Sequence, residues 1–280
     1  MNIAVIGMGL IGGSFARAIK YKTEHTVFGT DANFQALCKA RLVGAIDDIL
    51  DDEKLSTCEM VIIALYPQAA VDWLAANAGH IAKTAIVTDT CGVKQAVCSG
   101  CHAIAQQYGF CYVGGHPMAG VEHSGFDHSR CDMFENASIV LTPLNGVPIA
   151  EVDHLKKFMQ TLGFAKTVIT DPVEHDRMIA YTSQLAHVVS SAYVQSPCAL
   201  GHKGFSAGSY RDMTRVATLN EDMWTELFLD NYEPLAEQLD ALVERLQEFS
   251  VIIKAKDKEA LRTKLRVGRE QKAQADGKVL

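Results

Sequence analysis

Short apolar runs recur through the first 170 residues and alternate with stretches whose apolar positions repeat every three or four residues. The runs have the length of buried strands and the stretches have helical period, a pattern that predicts a parallel sheet wrapped by helices. Strands are expected at 2–6, 26–29, 60–65, 85–88, 111–113, 139–141 and 166–169. Helices are expected at 11–20, at 33–42 with a stop at Gly44, at 93–108 and at 149–162. The strand at 60–65 ends at Tyr66-Pro67, and the glycine-flanked stretch 114–120 reads as a loop after its strand. Beyond Thr170 the pattern becomes almost wholly helical. Asp171-Pro172 is a helix start, with Asp as cap and Pro at the first helical position. Met178, Ile179, Thr182, Leu185, Ala186 and Val189 then keep helical spacing. Two more helices are expected at 222–228 and 234–253, and the charged stretch 254–280 reads as a solvated terminal helix or a partly disordered tail. The fold expected is α/β: a doubly wound parallel sheet over 1–170, then an all-α domain over 171–280.

Composition narrows the function. Hydrophobic residues make up 48% and charged residues 21%, the balance of a packed protein. A net charge of −7 argues against nucleic acid or an anionic membrane as partner. No apolar run approaches the roughly 18 residues of a membrane span. The apolar start lacks a basic segment and is broken by Gly7, Gly9, Gly12 and Gly13, so it is a poor signal peptide, and a cytoplasmic setting is expected. The eight cysteines are then expected to be reduced thiols, mostly small and buried. Cys98 and Cys101 form a C-x-x-C beside His102, but no second ligand pair follows, and no metal site is expected.

Gly7-Met8-Gly9-Leu10-Ile11-Gly12 forms a G-x-G-x-x-G between an expected strand and an expected helix. Asp31 lies 19 residues past Gly12, at the end of the next strand. This is the dinucleotide-binding fingerprint of a Rossmann domain. Gly7 permits the tight turn, Gly9 lets a pyrophosphate approach the backbone, and Gly12 lets helix and strand pack closely. The helix start offers free N–H groups to the phosphates. Asp31 suits both ribose hydroxyls and repels a 2′-phosphate, so NAD is expected rather than NADP. Cofactor contacts are assigned to Gly7, Gly9, Leu10, Ile11, Gly12, Asp31, Leu65 and Thr90.

His116, followed by Pro117 and flanked by glycines, is expected at the carboxyl edge of the sheet, where it suits a general base. Ser183 and His187 stand four apart on an expected helix, as do Arg211 and Arg215. Each pair fits either an exposed polar stripe or a site, and an arginine there suits a carboxylate clamp.

Taken together, the glycine motif, TDTCGVK (88–94), HPMAG (116–120), YTSQLAH (181–187), YRDMTRVA (210–217) and Met223-Trp224 resemble the prephenate/arogenate dehydrogenase family over nearly the whole chain. The resemblance implies that the helical domain dimerises and that substrate sits between the two domains. It implies catalytic roles for His116 (on the ring hydroxyl), Arg215 (on the ring carboxylate) and His187 (near the pyruvyl side chain). Substrate contacts are implied for Arg211, Ser183, Gly208 and Trp224. The family serine is replaced by Gly92, so that either Thr90 or water stands in for it or His116 works with less help. The activity implied is NAD-linked oxidative decarboxylation of prephenate. The alternatives are an arogenate enzyme, a 3-hydroxyacid-type dehydrogenase, against which HPMAG and YRDMTR speak, and a catalytically silent NAD sensor.

Overall fold

The computed structural model describes residues 1–121 and 123–277. Its strands are β1 (Asn2–Ile6), β2 (Thr26–Thr30), β3 (Asp48–Ile49), β4 (Met60–Ile63), β5 (Ile86–Asp89), β6 (Cys111–Met118), β7 (Ser138–Thr142) and β8 (Lys166–Ile169). They form one sheet in the order β3-β2-β1-β4-β5-β6-β7-β8. All neighbouring pairs are parallel except β6 and β7. The helices are α1 (Leu10–Lys22), α2 (Phe34–Leu42), α3 (Asp52–Leu55), α4 (Pro67–Asn77), α5 (Gln95–Tyr108), α6 (Ile149–Thr161), α7 (Pro172–Ile179), α8 (Leu185–Val194), α9 (Gly208–Thr214), α10 (Glu221–Asp230), α11 (Tyr232–Ala255) and α12 (Lys258–Ala275).

Alternate residues of the inner strands feed two cores. Ile3 and Val5 of β1, with Met60 and Ile62 of β4, pack into one that includes Phe15, Phe134 and Phe158. Ala4, Ile6, Val61 and Ile63 face the other, with Leu74, Val97 and Tyr112. Burial on both faces is what a parallel sheet under crossover helices requires. The strand order reverses between β1 and β4, so a crevice opens at the carboxyl ends of those two strands.

All seven expected strands form. The two-residue β3 was too short to leave an apolar run, and Pro67, read only as a strand stop, also opens α4 as its first residue. One expectation is corrected. The stretch 114–118 is not a loop but the second half of β6. Residues 111–113 pair with β5, and 114–118 continue past the end of β5 to pair with β7. Gly114 and Gly115 disguised this continuation, and contact demands them. A Cβ at 114 would lie 2.4 Å from Thr142 Oγ1, and one at 115 would lie 2.6 Å from the Asp89 carbonyl oxygen.

The chain forms two compact units, Met1–Tyr232 and Glu233–Leu280. In the second, Lys264 of α12 pairs with Glu248 of α11 and lies 5.8 Å from the Phe249 ring centre. The charged stretch expected as helix or disordered tail is therefore helical through Ala275. Among the described residues, no helix is long and apolar enough to cross a membrane.

Candidate active site

The glycine loop joins β1 to α1. Gly7 adopts φ +91, and a Cβ there would meet the Ala64 carbonyl oxygen at 2.4 Å and Leu65 Cδ2 at 2.9 Å. A Cβ at Gly12 would lie 1.8 Å from the Gly7 carbonyl oxygen, so helix and turn touch backbone to backbone. Nothing stands within 4 Å of the corresponding point at Gly9. The α1 N-terminus receives no side-chain cap from Gly9, and the first helical N–H groups, from Leu10 and Ile11, lack partners one turn back. An open face, free donors and a positive dipole end fit a pyrophosphate. Asp31 pins the loop, accepting from Met8 N at 2.5 Å and from Asn33 N at 2.6 Å. Leu65 borders this turn, and Thr90 N donates to the Ile63 carbonyl, so both cluster at the same sheet edge.

Farther along that edge, β5 ends in Asp89. Its buried carboxylate pairs with Lys94 Nζ and accepts from Tyr112 OH at 2.6 Å and Cys91 N at 2.8 Å. Lys94 Nζ also donates to the Gly115 carbonyl at 2.7 Å, tying the pair to the residue before His116. Burial works against the lysine charge, but Asp89 outweighs it and holds the ammonium above its usual value.

His116 Nδ1 lies 2.9 Å from His175 Nε2, and His175 Nδ1 lies 2.7 Å from Asp176 Oδ1. Asp176 also accepts from the backbone N–H of Lys94 and of Gln95, each at 2.8 Å, and so caps α5 from another helix. Burial, then His175 and Lys94, hold the His116 imidazole well below its usual range. Burial lowers His175 as well, against the pull of Asp176.

The opposite wall comes from the helices after α7. A Cβ at Gly92 would lie 3.4 Å from Leu227 Cδ2 of α10 and 4.0 Å from His116 Nε2. One turn earlier on α10, the Trp224 ring lies tilted by 44° against His187, with centres 3.9 Å apart. His187 Nδ1 donates to the Val216 carbonyl at 3.1 Å; burial, and then the charge of Arg215, lower its pKa. His116, Gly92 and Leu227 are therefore neighbours, as are Trp224, His187 and Val216, and α10 carries a member of each group.

Residues 15–168 match the family described as prephenate dehydrogenase, nucleotide-binding domain, and residues 171–267 match prephenate dehydrogenase, dimerization domain. The chain belongs to the prephenate dehydrogenase family. It is 30% identical to the prephenate dehydrogenase of Bacillus subtilis over 271 residues, 93% of this chain and 72% of that one. It is 29% identical to the cyclohexadienyl dehydrogenase of Zymomonas mobilis over 265 residues, 91% and 89% of the two chains. The crystal structure of Synechocystis arogenate dehydrogenase superposes with a TM-score of 0.83 at 25% identity, covering 98% of this chain and 100% of that one.

In this prephenate dehydrogenase relative, not every expected pair keeps its expected spacing. Ser183 falls in a π-helical turn (Ala180–Gln184) before α8, which changes the spacing that would align it with His187. The α9 helix stops at Thr214, and Arg215 opens a 3₁₀ turn, so the face shared with Arg211 breaks there. Gly208 opens α9 with free space around it.

Sequence reasoning missed Asp89, Lys94, His175 and Asp176. A lysine at a helix start opposes the dipole, and that mismatch was a usable signal for a buried partner. His175 and Asp176 left a weaker one, because adjacent helical residues seldom bond each other. Cys98 and Cys101 are buried packing groups, as expected; Cys98 Sγ lies 3.3 Å from Thr142 Oγ1, and burial pushes the Cys101 thiol up to about 12.

Proposed function

We propose that the chain catalyses the NAD-linked oxidative decarboxylation of prephenate to 4-hydroxyphenylpyruvate. The observation that carries this reading is the placement of His116, a half-buried histidine held toward its neutral form at the sheet edge beside the nucleotide crevice. The bound cofactor supplies the hydride acceptor. The charges balance without a net proton: prephenate dianion and NAD⁺ give the keto-acid monoanion, carbon dioxide and NADH. His116 therefore holds the hydroxyl proton while the ring oxygen has carbonyl character, and returns it as carbon dioxide leaves. Arg215 orients the ring carboxylate, with His187 and Trp224 at the side chain and Arg211, Ser183 and Gly208 around it. Arg215 must bind that carboxylate without over-stabilising a charge that vanishes in the reaction. Asp31 beside the glycine loop favours NAD over its 2′-phosphorylated form.

The nucleotide half spans 1–170 in this reading, and the half from 171 to 280 binds substrate and makes a homodimer. Exposed Leu246, Val251 and Ile253 on α11 and Leu265 on α12 support a further protein surface there. The proposed setting is the cytoplasm, without nucleic acid or membrane as partner. An amino group in place of the keto group would make arogenate the substrate. NADH formation measured with prephenate, with arogenate and with neither tests the assignment; turnover with neither acid would overturn it. His116→Asn is expected to lower kcat by about 10²–10⁴-fold, and a loss below tenfold would remove it as the base.

A further inference from the structure

The chain His116–His175–Asp176 runs from the cleft into the protein, and its hydrogen bonds have a direction. Asp176 Oδ1 already accepts from Lys94 N and Oδ2 from Gln95 N, so the carboxylate offers acceptors to its neighbours. The 2.7 Å contact therefore places a proton on His175 Nδ1. A neutral His175 then has a lone pair at Nε2, and the 2.9 Å contact requires the proton to sit on His116 Nδ1. What remains on His116 is a bare Nε2, the atom that lies beside Gly92 and faces α10. His175 and Asp176 are 2% and 0% exposed, so water does not compete for these bonds. Asp176 is itself immobilised by the α5 N-terminus, by the α7 backbone that carries it, and by Asn231 Nδ2, which donates to its carbonyl at 2.9 Å.

We propose that His175 and Asp176 are positioning residues that lock His116 in the Nδ1–H tautomer and briefly take over its charge. This rests on His116 being the base. As the ring O–H bond breaks and His116 Nε2–H forms, the Nδ1–H bond of His116 breaks and Nε2–H of His175 forms. The positive charge then sits on His175 against the Asp176 carboxylate, away from the nicotinamide, and every transfer reverses when carbon dioxide leaves. A single imidazole would hold that charge beside the oxidised cofactor, which is itself cationic.

The lock is read directly from ¹⁵N–¹H correlation spectra of the intact protein with labelled histidine at neutral to basic pH, the His116 signals being assigned by their loss in His116→Asn. Nδ1 protonated and Nε2 bare supports the proposal; the opposite pattern overturns it, whatever the activity. In parallel, His175→Phe is expected to lower kcat by about 10²-fold with KM for both substrates little changed. His175→Gln, whose amide oxygen accepts from Nδ1–H but cannot take the proton, is expected to regain about tenfold of that. A His175→Phe enzyme within threefold of the parent kcat would sink the proposal. So would a Gln variant no better than Phe. Failure of His116→Asn to reduce activity strikes instead at the base assignment, so the two failures are distinguishable.

Discussion

At the scale of single residues, the site is decided by what is missing as much as by what is present. Gly92 leaves a gap next to His116 Nε2 that a serine side chain would enter, since its Cβ meets Leu227 at 3.4 Å, an ordinary contact. Gly92→Ser is therefore expected to fold with a melting temperature close to the parent. Burial holds His116 below its usual range, so its neutral form persists; with His116 as the proposed base, the acid limb of kcat/KM is expected below about pH 6.5. A serine hydroxyl donating to Nε2 stabilises the neutral form further and should move that limb to still lower pH. A limb unmoved or shifted upward would contradict this. Gly12 allows no such freedom. Gly12→Ala drives a methyl into the Gly7 carbonyl, and loss of nucleotide binding in a fluorescence titration is the expected outcome. His116 was legible from the sequence because a proline and glycines surround it. His175 was not, because its meaning comes from a partner 59 residues away.

At the scale of elements, short structures carry the geometry. The α7 helix has only eight residues, yet it delivers His175 and Asp176. Its start was readable: Asp171 accepts from Val173 N and Glu174 N, both at 2.9 Å, and Pro172 follows. Asp171→Ala should cost about 0.5–2 kcal/mol of stability, seen as a fall of a few degrees in melting temperature. Because α7 holds the proposed relay, kcat should fall with it while cofactor affinity stays constant. Equal losses in both would show that the helix supports the whole nucleotide crevice instead. The π turn after α7 left no such mark, since a one-residue shift of backbone hydrogen bonds calls for no particular residue type. The second half of β6 was hidden for a related reason, as glycines chosen for close contact look like loop glycines.

At the scale of the molecule, four histidines are held below their usual pKa, with burial the largest cause at His25, His116, His175 and His187. In the unfolded chain each titrates near 6.5, so the unfolded state binds more protons as pH falls below that value. Their share of stability is complete above about pH 6.5 and is lost as pH drops toward the folded values. Thermal melts from pH 7.5 to 5.5 should show a steady decline before the carboxylates begin to titrate, and a flat profile would contradict it. The fold class and the glycine crevice were legible because they follow from local periodicity; the coupling of α7 and α10 to the sheet edge was not. That coupling divides labour between the two sides of the cleft. Because β6 is stitched to β5 at one end and to β7 at the other, His116 cannot be re-aimed by lengthening or trimming a neighbouring turn. Changes in diet among such enzymes would then have to be written on the facing helices, where residues can be exchanged without disturbing the ladder that holds His116.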